Sequence, residues 1–340
     1  MNWGLLAGLF FVLTLCSLAL SKSVIALLHR RALFDLPNER SSHTLPTPRG
    51  GGLALVAVFV AGLGVSTALG LVLVPTAAKL LSITLFLATV SWIDDVRHLG
   101  PLTRFGSHIL AVVAALVVGL VSGPFFGGAL PAALELVLIG VGWVWFINLY
   151  NFMDGIDGLA ATETIAIGLG GGLIALTGQT EPTAVIACLV LVAAAIGFLP
   201  FNWAPAKVFM GDVGSIPLGF VCAWILLSLA EMGFGAAAII LPLVFFGDAT
   251  ITLFKRLLRG EKIWQAHRQH FYQLAVQRGM SHSRATWAAC VTNLGLIVLA
   301  VWSTHGNEVL ALFMASVCVA LLFAFYLKFP LSPDQRDTSE

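Results

Sequence analysis

Six aspartates of this 340-residue chain stand at the borders of apolar stretches or inside them. Asp94 and Asp95 close one such stretch. Asp154 and Asp157 sit in Asn148-Leu149-Tyr150-Asn151-Phe152-Met153-Asp154-Gly155-Ile156-Asp157-Gly158. Asp212 opens another stretch after Phe209-Met210-Gly211, and Asp248 lies within a further one. Ionisable groups at membrane depth are costly and mark function where they persist. A single aspartate at such a border reads equally well as a helix cap or an interfacial charge. A group of carboxylates at one level is different, because the charges repel one another unless a cation compensates them. An oxygen-rich set with open positions suits Mg²⁺, which takes one or two carboxylates, waters and substrate phosphates. Mn²⁺ shares that ligand preference.

Spacing sharpens the reading. Asp94 and Asp95 are adjacent, so on a regular helix they point about 100° apart and suit two roles, such as proton acceptance and electrostatic support. Asn148, Asn151, Asp154 and Asp157 step by three, which keeps successive side chains near one helix face. Gly155 and Gly158 let the backbone approach a phosphate closely. A second constellation, His267-Arg268-Gln269-His270-Phe271-Tyr272-Gln273, offers donors for a pyrophosphate or a nucleotide leaving group. Juxtamembrane basic anchoring to anionic lipid is the plainer alternative, and no cysteine stands near His267 and His270 to complete a zinc site. In the segment 35–52, Arg40, His43 and Arg49 are placed to meet a lipid phosphate, among prolines and glycines that fix a turn. His108, Glu135, Glu163 and Glu181 are isolated and read as span-end or packing residues. Trp92, Trp143, Trp145 and Trp203 read as an interfacial aromatic belt.

The elements that must hold these groups are membrane helices. The chain is 59% hydrophobic and 10% charged, with a mean hydropathy of +0.95, whereas a soluble domain is about a quarter charged. Stretches of roughly 20 apolar residues recur, enough to cross a hydrocarbon core of about 30 Å, and the alternating short strands of a barrel are not seen. Eleven spans are expected: 3–28, 52–74, 76–93, 106–122, 132–149, 159–177, 183–200, 213–230, 235–257, 285–303 and 308–327. The first lacks a basic n-region and a small-residue cleavage site and reads as a retained span. Nearly bare connectors alternate with polar, basic ones at 29–51, 94–105, 150–158, 201–212 and 258–284. The positive-inside rule puts the basic set in the cytoplasm and the N-terminus outside. The expectation is an all-α polytopic membrane protein with one domain over 1–330, a polar cytoplasmic tail over 331–340 and a site on the cytoplasmic face. The net charge of +1 does not point to nucleic acid. The five cysteines lie in apolar runs without a CxxC, so neither a disulfide framework nor a zinc site is indicated.

The motifs from Asp35 to Gln273, in this order, resemble the polyprenyl-phosphate N-acetylhexosamine-1-phosphate transferases, glycosyltransferase family 4. The resemblance implies transfer of a sugar-1-phosphate from a UDP-N-acetylhexosamine to undecaprenyl phosphate in the bacterial inner membrane. It implies that Asp94 deprotonates or orients the lipid phosphate beside Asp95. Asn148, Asn151, Asp154 and Asp157 would lie against nucleotide and metal. Asn202 and Phe209 would contact the uridine, Phe209 by stacking, and Asp212 would be the principal Mg²⁺ ligand with Asp154 beside it. Asp248 matches an acidic position of the carrier-transferring branch, and His267, Arg268 and His270 would help bind the pyrophosphate. The run His267-Arg268-Gln269-His270 departs from the three consecutive histidines of the muramoyl-pentapeptide transferases. It looks more like the branch that starts O-antigen, which favours FucNAc, QuiNAc or GlcNAc. Direct attack and a covalent aspartyl route both stay open, and so does the oligomeric state, a homodimer included.

A cation-coupled transporter is the rival from another class. It would place acids at mid-bilayer in broken, symmetric helices, whereas here most acids lie at span ends and no internal repeat is seen. A non-catalytic assembly subunit would tolerate replacement of the acids. A CDP-alcohol transferase would carry a DGxxAR helix pattern, which the sequence lacks.

Overall fold

A computed structural model describes residues 2–37, 45–178, 182–262 and 267–329. It is almost entirely helical, as the composition requires: in lipid the backbone N–H and C=O groups must be satisfied within the segment, and a helix does this locally. The helices are α1 (Trp3–Arg30), α2 (Gly52–Ala68), α3 (Val74–Arg97), α4 (Pro101–Val117), α5 (Ala132–Met153), α6 (Leu159–Thr177), α7 (Thr183–Asn202), α8 (Asp212–Glu231), α9 (Gly235–Ile240), α10 (Leu243–Leu258), α11 (Phe271–Gln277), α12 (His282–Ser303) and α13 (Glu308–Lys328). Between α1 and α2 a small antiparallel pair, β1 (Phe34–Asp35) and β2 (Thr47–Pro48), matches Phe34 with Pro48 and Asp35 with Thr47.

Eight helices among the described residues are long and apolar enough to cross a bilayer on their own. The chain is a multi-pass membrane protein. Buried shares separate the interior from the rim. In α6, α7 and α8, 72, 72 and 83% of the most apolar stretch is buried, against 22–39% in the other five. The rim helices turn large apolar side chains outward, as α13 does with Val309, Phe313 and Leu321; such a surface is stable only against lipid. Small residues let the interior helices close up. A Cβ on Gly197 of α7 would lie 2.5 Å from Ser17 Cβ of α1, and Ser17 donates to the Ala194 carbonyl at 2.6 Å.

Several expectations need correction. The second and fourth spans are 17-residue helices, about 25 Å long. The third span runs on to Arg97, so Asp94 and Asp95 belong to its last helical turn. The ninth span is broken between α9 and α10, where Pro242 supplies no N–H and ends the hydrogen-bond ladder. Only Asn148 and Asn151 of the three-residue stepping series lie on α5; the helix stops at Met153, with Asp154 as its C-cap and Asp157 in the turn beyond. Trp143 is not a belt residue. It is 2% exposed, stacks on Phe220 at 4.9 Å and donates from Nε1 to the Phe220 carbonyl. His43, Arg40, Glu181 and the expected tail 331–340 lie outside the described residues.

Candidate active site

The C-terminal ends of α3, α5, α7 and α10 and the N-terminal ends of α2, α4, α6, α8 and α12 share one end of the bundle. Five of them meet around Asp212, the first residue of α8. Its Oδ1 accepts from Arg49 Nη2 at 2.8 Å and from Asn151 Nδ2 at 3.1 Å. Its Oδ2 faces Arg104 Nη2 at 2.8 Å as a charge contact only, without an aligned hydrogen bond. Arg104 also reaches Asp94 Oδ2 at 3.1 Å through Nε, and Arg49 reaches Asp95 Oδ1 at 3.0 Å through Nε. Two guanidiniums thus compensate three carboxylates. Arg104 is a member of this cluster that the sequence reading did not single out.

The adjacent aspartates diverge, as helical geometry demands. Asp94 Oδ1 accepts from the Leu99 N–H at 2.6 Å, fastening the α3–α4 turn. Asp95 accepts from the N–H groups of Asp212 at 3.2 Å and Val213 at 2.9 Å. Those are among the first N–H groups of α8, which no intrahelical acceptor can reach. Asp95 is therefore the cap of α8, supplied from another helix. The approach is tight: Gly211 has φ +73°, and a Cβ there would lie 2.9 Å from Asp95 Oδ2. Gly52 at the start of α2 touches Gly214, where a Cβ would lie 2.3 Å from the Gly214 Cα.

Asp154 keeps some exposed surface but is ringed by protein. Among the described residues its carboxylate accepts no hydrogen bond. Burial first, then Asp212, Asp95 and Asp157, hold it well above the usual carboxylate range against the pull of Arg49. Asp157 is committed elsewhere: Oδ2 accepts from the Ala206 N–H at 3.0 Å, and Oδ1 meets His282 Nδ1 at 3.1 Å. Asn202, 2% exposed, accepts from the Gly158 N–H at 3.2 Å and donates to the Val208 carbonyl at 3.0 Å. Its side chain braces two loops. Asn148 donates to the Val144 carbonyl of its own helix at 2.7 Å and also meets His108. Half-buried Phe209 is fixed by its backbone: its N–H donates to the Pro48 carbonyl at 2.8 Å, and its carbonyl accepts from Gly50 and Gly51.

The histidine segment docks onto this assembly through α11. Asp248, 1% exposed, accepts from His270 Nδ1 at 2.9 Å, from the N–H groups of Phe271 at 3.1 Å and Tyr272 at 3.3 Å, and from Thr252. It caps α11 as Asp95 caps α8. Tyr272 Oη then donates to the Phe152 carbonyl at 3.0 Å. The His267 ring lies against the His270 ring, tilted by 33° with centroids 4.9 Å apart. Burial, then His270 and Arg256, push its pKa down to about 4, so its imidazole is neutral near pH 7 and offers hydrogen bonding without charge. The Arg268 carbonyl accepts from Gln277 at 2.6 Å. Among the described residues, no three His, Cys, Asp or Glu side chains converge into a self-sufficient metal cage.

The α11 contact carries a prediction. A Cβ on Gly155 would fall 2.2 Å from Tyr272 Oη. Gly155→Ala is expected to cost about 1–3 kcal/mol, the usual penalty of overpacking. Removing the hydroxyl in Gly155→Ala/Tyr272→Phe should recover part of it. Thermal midpoints of the three proteins in detergent check this, and an unchanged midpoint in the single variant would refute the contact.

Known proteins resemble this chain over much of its sequence. The model of glycosyl transferase family 4 matches residues 77–230, which include Asp94, Asp95, Arg104, Asp154 and Asp212. A probable undecaprenyl-phosphate N-acetylglucosaminyl 1-phosphate transferase of Bacillus subtilis is 29% identical over 267 residues, 73% of this chain and 71% of its own. A decaprenyl-phosphate N-acetylglucosaminephosphotransferase of Mycobacterium tuberculosis is 30% identical over 286 residues, 73% and 70% of the two chains. A phospho-N-acetylmuramoyl-pentapeptide-transferase of Staphylococcus saprophyticus is 36% identical over 156 residues, 44% and 46%. With helix ends converging on one acid cluster and two of these relatives matched over about 70% of their length, this chain belongs to the polyprenyl-phosphate hexosamine-1-phosphate transferases of glycosyl transferase family 4.

Proposed function

We propose that the chain transfers an N-acetylhexosamine-1-phosphate from a UDP-sugar to undecaprenyl phosphate, releasing UMP, at the cytoplasmic face of a bacterial inner membrane. GlcNAc, FucNAc or QuiNAc is the sugar, and an O-antigen or related surface polysaccharide is the polymer begun. Residues 1–330 act as one catalytic unit. The observation that carries this reading is the acid–arginine cluster built on Asp212. The Lys- and Arg-bearing connectors lie at the same end of the bundle, which supports the cytoplasmic side.

The residues present fit Mg²⁺. Among the described residues Asp154 is a carboxylate without a donor and Asp212 Oδ2 lacks an aligned hydrogen bond, and Asn151 adds a neutral amide beside them. Hard oxygens in that number suit an ion that completes its shell with water and substrate phosphate, with Mn²⁺ as a substitute. Asp212 and Asp154 would hold it. When bound, Mg²⁺ supplies neutralisation of the charge that gathers on the diphosphate.

The chain's own residues supply the rest. A guanidinium has five donors, and Arg49 and Arg104 each spend Nε and Nη2 on carboxylates. Both side chains are about a third exposed (32 and 36%), so their remaining donors can meet phosphate oxygens. Asp94, held by the Leu99 N–H and Arg104 beside Asp212, is the carboxylate that takes a proton from the lipid phosphate or orients it. A lipid phosphate oxygen attacks the sugar-bearing phosphorus, the bond to the uridine-bearing phosphate breaks, and UMP leaves. Asp95 and Asp248 are positioning residues that set α8 and α11. His270 Nδ1 is held by Asp248 and His267 Nδ1 accepts from the Gln269 N–H, so Nε2 of each ring, with Arg268 next to them in the chain, is what they would offer the pyrophosphate.

Purified protein with radiolabelled UDP-GlcNAc, UDP-FucNAc, UDP-QuiNAc or UDP-N-acetylmuramoyl-pentapeptide, undecaprenyl phosphate and Mg²⁺ tests the reading. Label is expected in the lipid phase with equimolar UMP for at least one of the first three donors. Release of UDP in place of UMP would refute phosphoryl transfer. Product from the pentapeptide donor alone would assign the peptidoglycan reaction.

A further inference from the structure

The Asp157–Gly158 peptide is held on its polar atoms by three other parts of the chain, and two of the holding residues belong to α12. Asp157 Oδ1 meets His282 Nδ1 at 3.1 Å, and the Asp157 carbonyl accepts from Thr286 Oγ1 at 2.9 Å. Asp157 Oδ2 accepts from the Ala206 N–H and the Gly158 N–H donates to Asn202. Gly158 itself has φ +76°, and a Cβ there would lie 3.1 Å from Trp203 and 3.6 Å from Thr286.

Ordinary helix capping does not account for the α12 contacts. The helix already has its own cap, since Ser281 Oγ accepts from the Arg284 N–H at 3.2 Å. A threonine within a helix usually returns its hydroxyl to the carbonyl four residues back, and Thr292 in the same helix does so, donating to Ala288. Thr286 instead sends its only hydroxyl donor across to Asp157. The one Asp157 carboxylate joins the turn that carries Asp154 to the connector that leads to Phe209 and Asp212. Whatever clamps that carboxylate sets the spacing of both.

We propose that His282 and Thr286, in the first turns of α12, are positioning residues for the transfer reaction. Through Asp157 they hold the turn 154–158 and the connector 203–211 in the register that receives the diphosphate of the UDP-sugar. This rests on the reading of the turn 154–158 as the nucleotide and metal side of the site. It adds a helix that lies outside the matched residues 77–230.

The test pairs a disruptive with a conservative change at each position. His282→Ala removes the imidazole, while His282→Asn keeps an N–H near Nδ1. Thr286→Val is isosteric without the hydroxyl, and Thr286→Ser keeps it. Full-length protein in detergent is titrated with UDP by calorimetry and assayed for UMP release from UDP-GlcNAc and undecaprenyl phosphate. His282→Ala is expected to weaken UDP and raise KM for the UDP-sugar about tenfold, and Thr286→Val about threefold, the range of a lost hydrogen bond to a charged and a neutral acceptor. KM for the lipid phosphate should stay within about twofold, and the Asn and Ser variants should return to near wild type. Equal loss in His282→Asn and His282→Ala, or equal rises in both KM values, would overturn the proposal. Asp154→Asn separates the two levels. If it binds UDP and turns over as wild type does, the reading of the turn falls and this proposal with it. If it is impaired while His282→Ala is not, this proposal falls alone.

Discussion

Asp212→Ala is expected to release UMP at least about 10³-fold more slowly than the unchanged protein, with the fold retained. Losing a metal ligand together with a charge aimed at the reacting diphosphate removes a contribution that commonly amounts to about 4 kcal/mol of barrier. The stability cost should be smaller. Breaking a fully buried ion pair costs about 3–5 kcal/mol because a charge is left uncompensated. Here the guanidiniums of Arg49 and Arg104 are about a third exposed and keep Asp95 and Asp94 as partners, so screening discounts the loss to about 1–2 kcal/mol. Asp212→Asn, which keeps the shape and the bond to Asn151, isolates the charge. It should be nearly as slow as Asp212→Ala with a thermal midpoint close to wild type. The assay is UMP release across a Mg²⁺ series at saturating substrates. Wild-type turnover in Asp212→Asn would remove Asp212 from the metal site and leave it as a brace for Arg49.

The helices were legible because lipid imposes one length and one polarity on each of them. The expected spans 159–177, 183–200 and 308–327 agree with α6, α7 and α13 to within two residues at each end. The break at Pro242 was hidden because the residues flanking it are as apolar as those of an unbroken span. Trp143 looked like a belt residue because sequence position cannot tell a helix face turned to Phe220 from one turned to lipid.

The site divides the same way. The motif named the acids but could not sort them by duty. Asp95, Asp157 and Asp248 each send a carboxylate to an element far along the chain: the start of α8, His282 with Ala206, and the start of α11. Separations of 23 to more than 100 residues leave no local signature of such bonds. Asp94, Asp95 and Asp212 are paired with the arginines, Asp95 while also capping α8, and Asp154 lies within electrostatic reach of Arg49. Arg104 escaped notice because a basic residue in an inner connector is already explained by the positive-inside rule. The one local clue is Pro101 at the first position of a helix. It places Arg104 in the opening turn of α4, level with the end of α3.

Arg104 therefore gives the sharpest test of the cluster as an electrostatic unit. It joins Asp94 on α3 to Asp212 on α8 with one planar group, at 3.1 and 2.8 Å. Arg104→Ala leaves those two carboxylates facing each other with only Arg49 near Asp212, which should lower the thermal midpoint by several degrees, about 1–2 kcal/mol after allowing for exposure. Turnover should fall about 100-fold, because a phosphate donor and the alignment of Asp94 are lost together. Arg104→Lys should recover little. An ammonium is a point charge that cannot bridge two carboxylates through separate nitrogens. The double variant Arg104→Ala/Asp94→Asn removes the repulsion and should regain the midpoint while staying slow. The midpoint of the double variant reads the charge balance of the pair, and its rate, lowered also by the loss of Asp94, is compared with that of Asp94→Asn alone to give the share of the guanidinium. If Arg104→Lys turned over at the wild-type rate, the two-nitrogen bridge would be incidental and a single positive charge at position 104 would suffice.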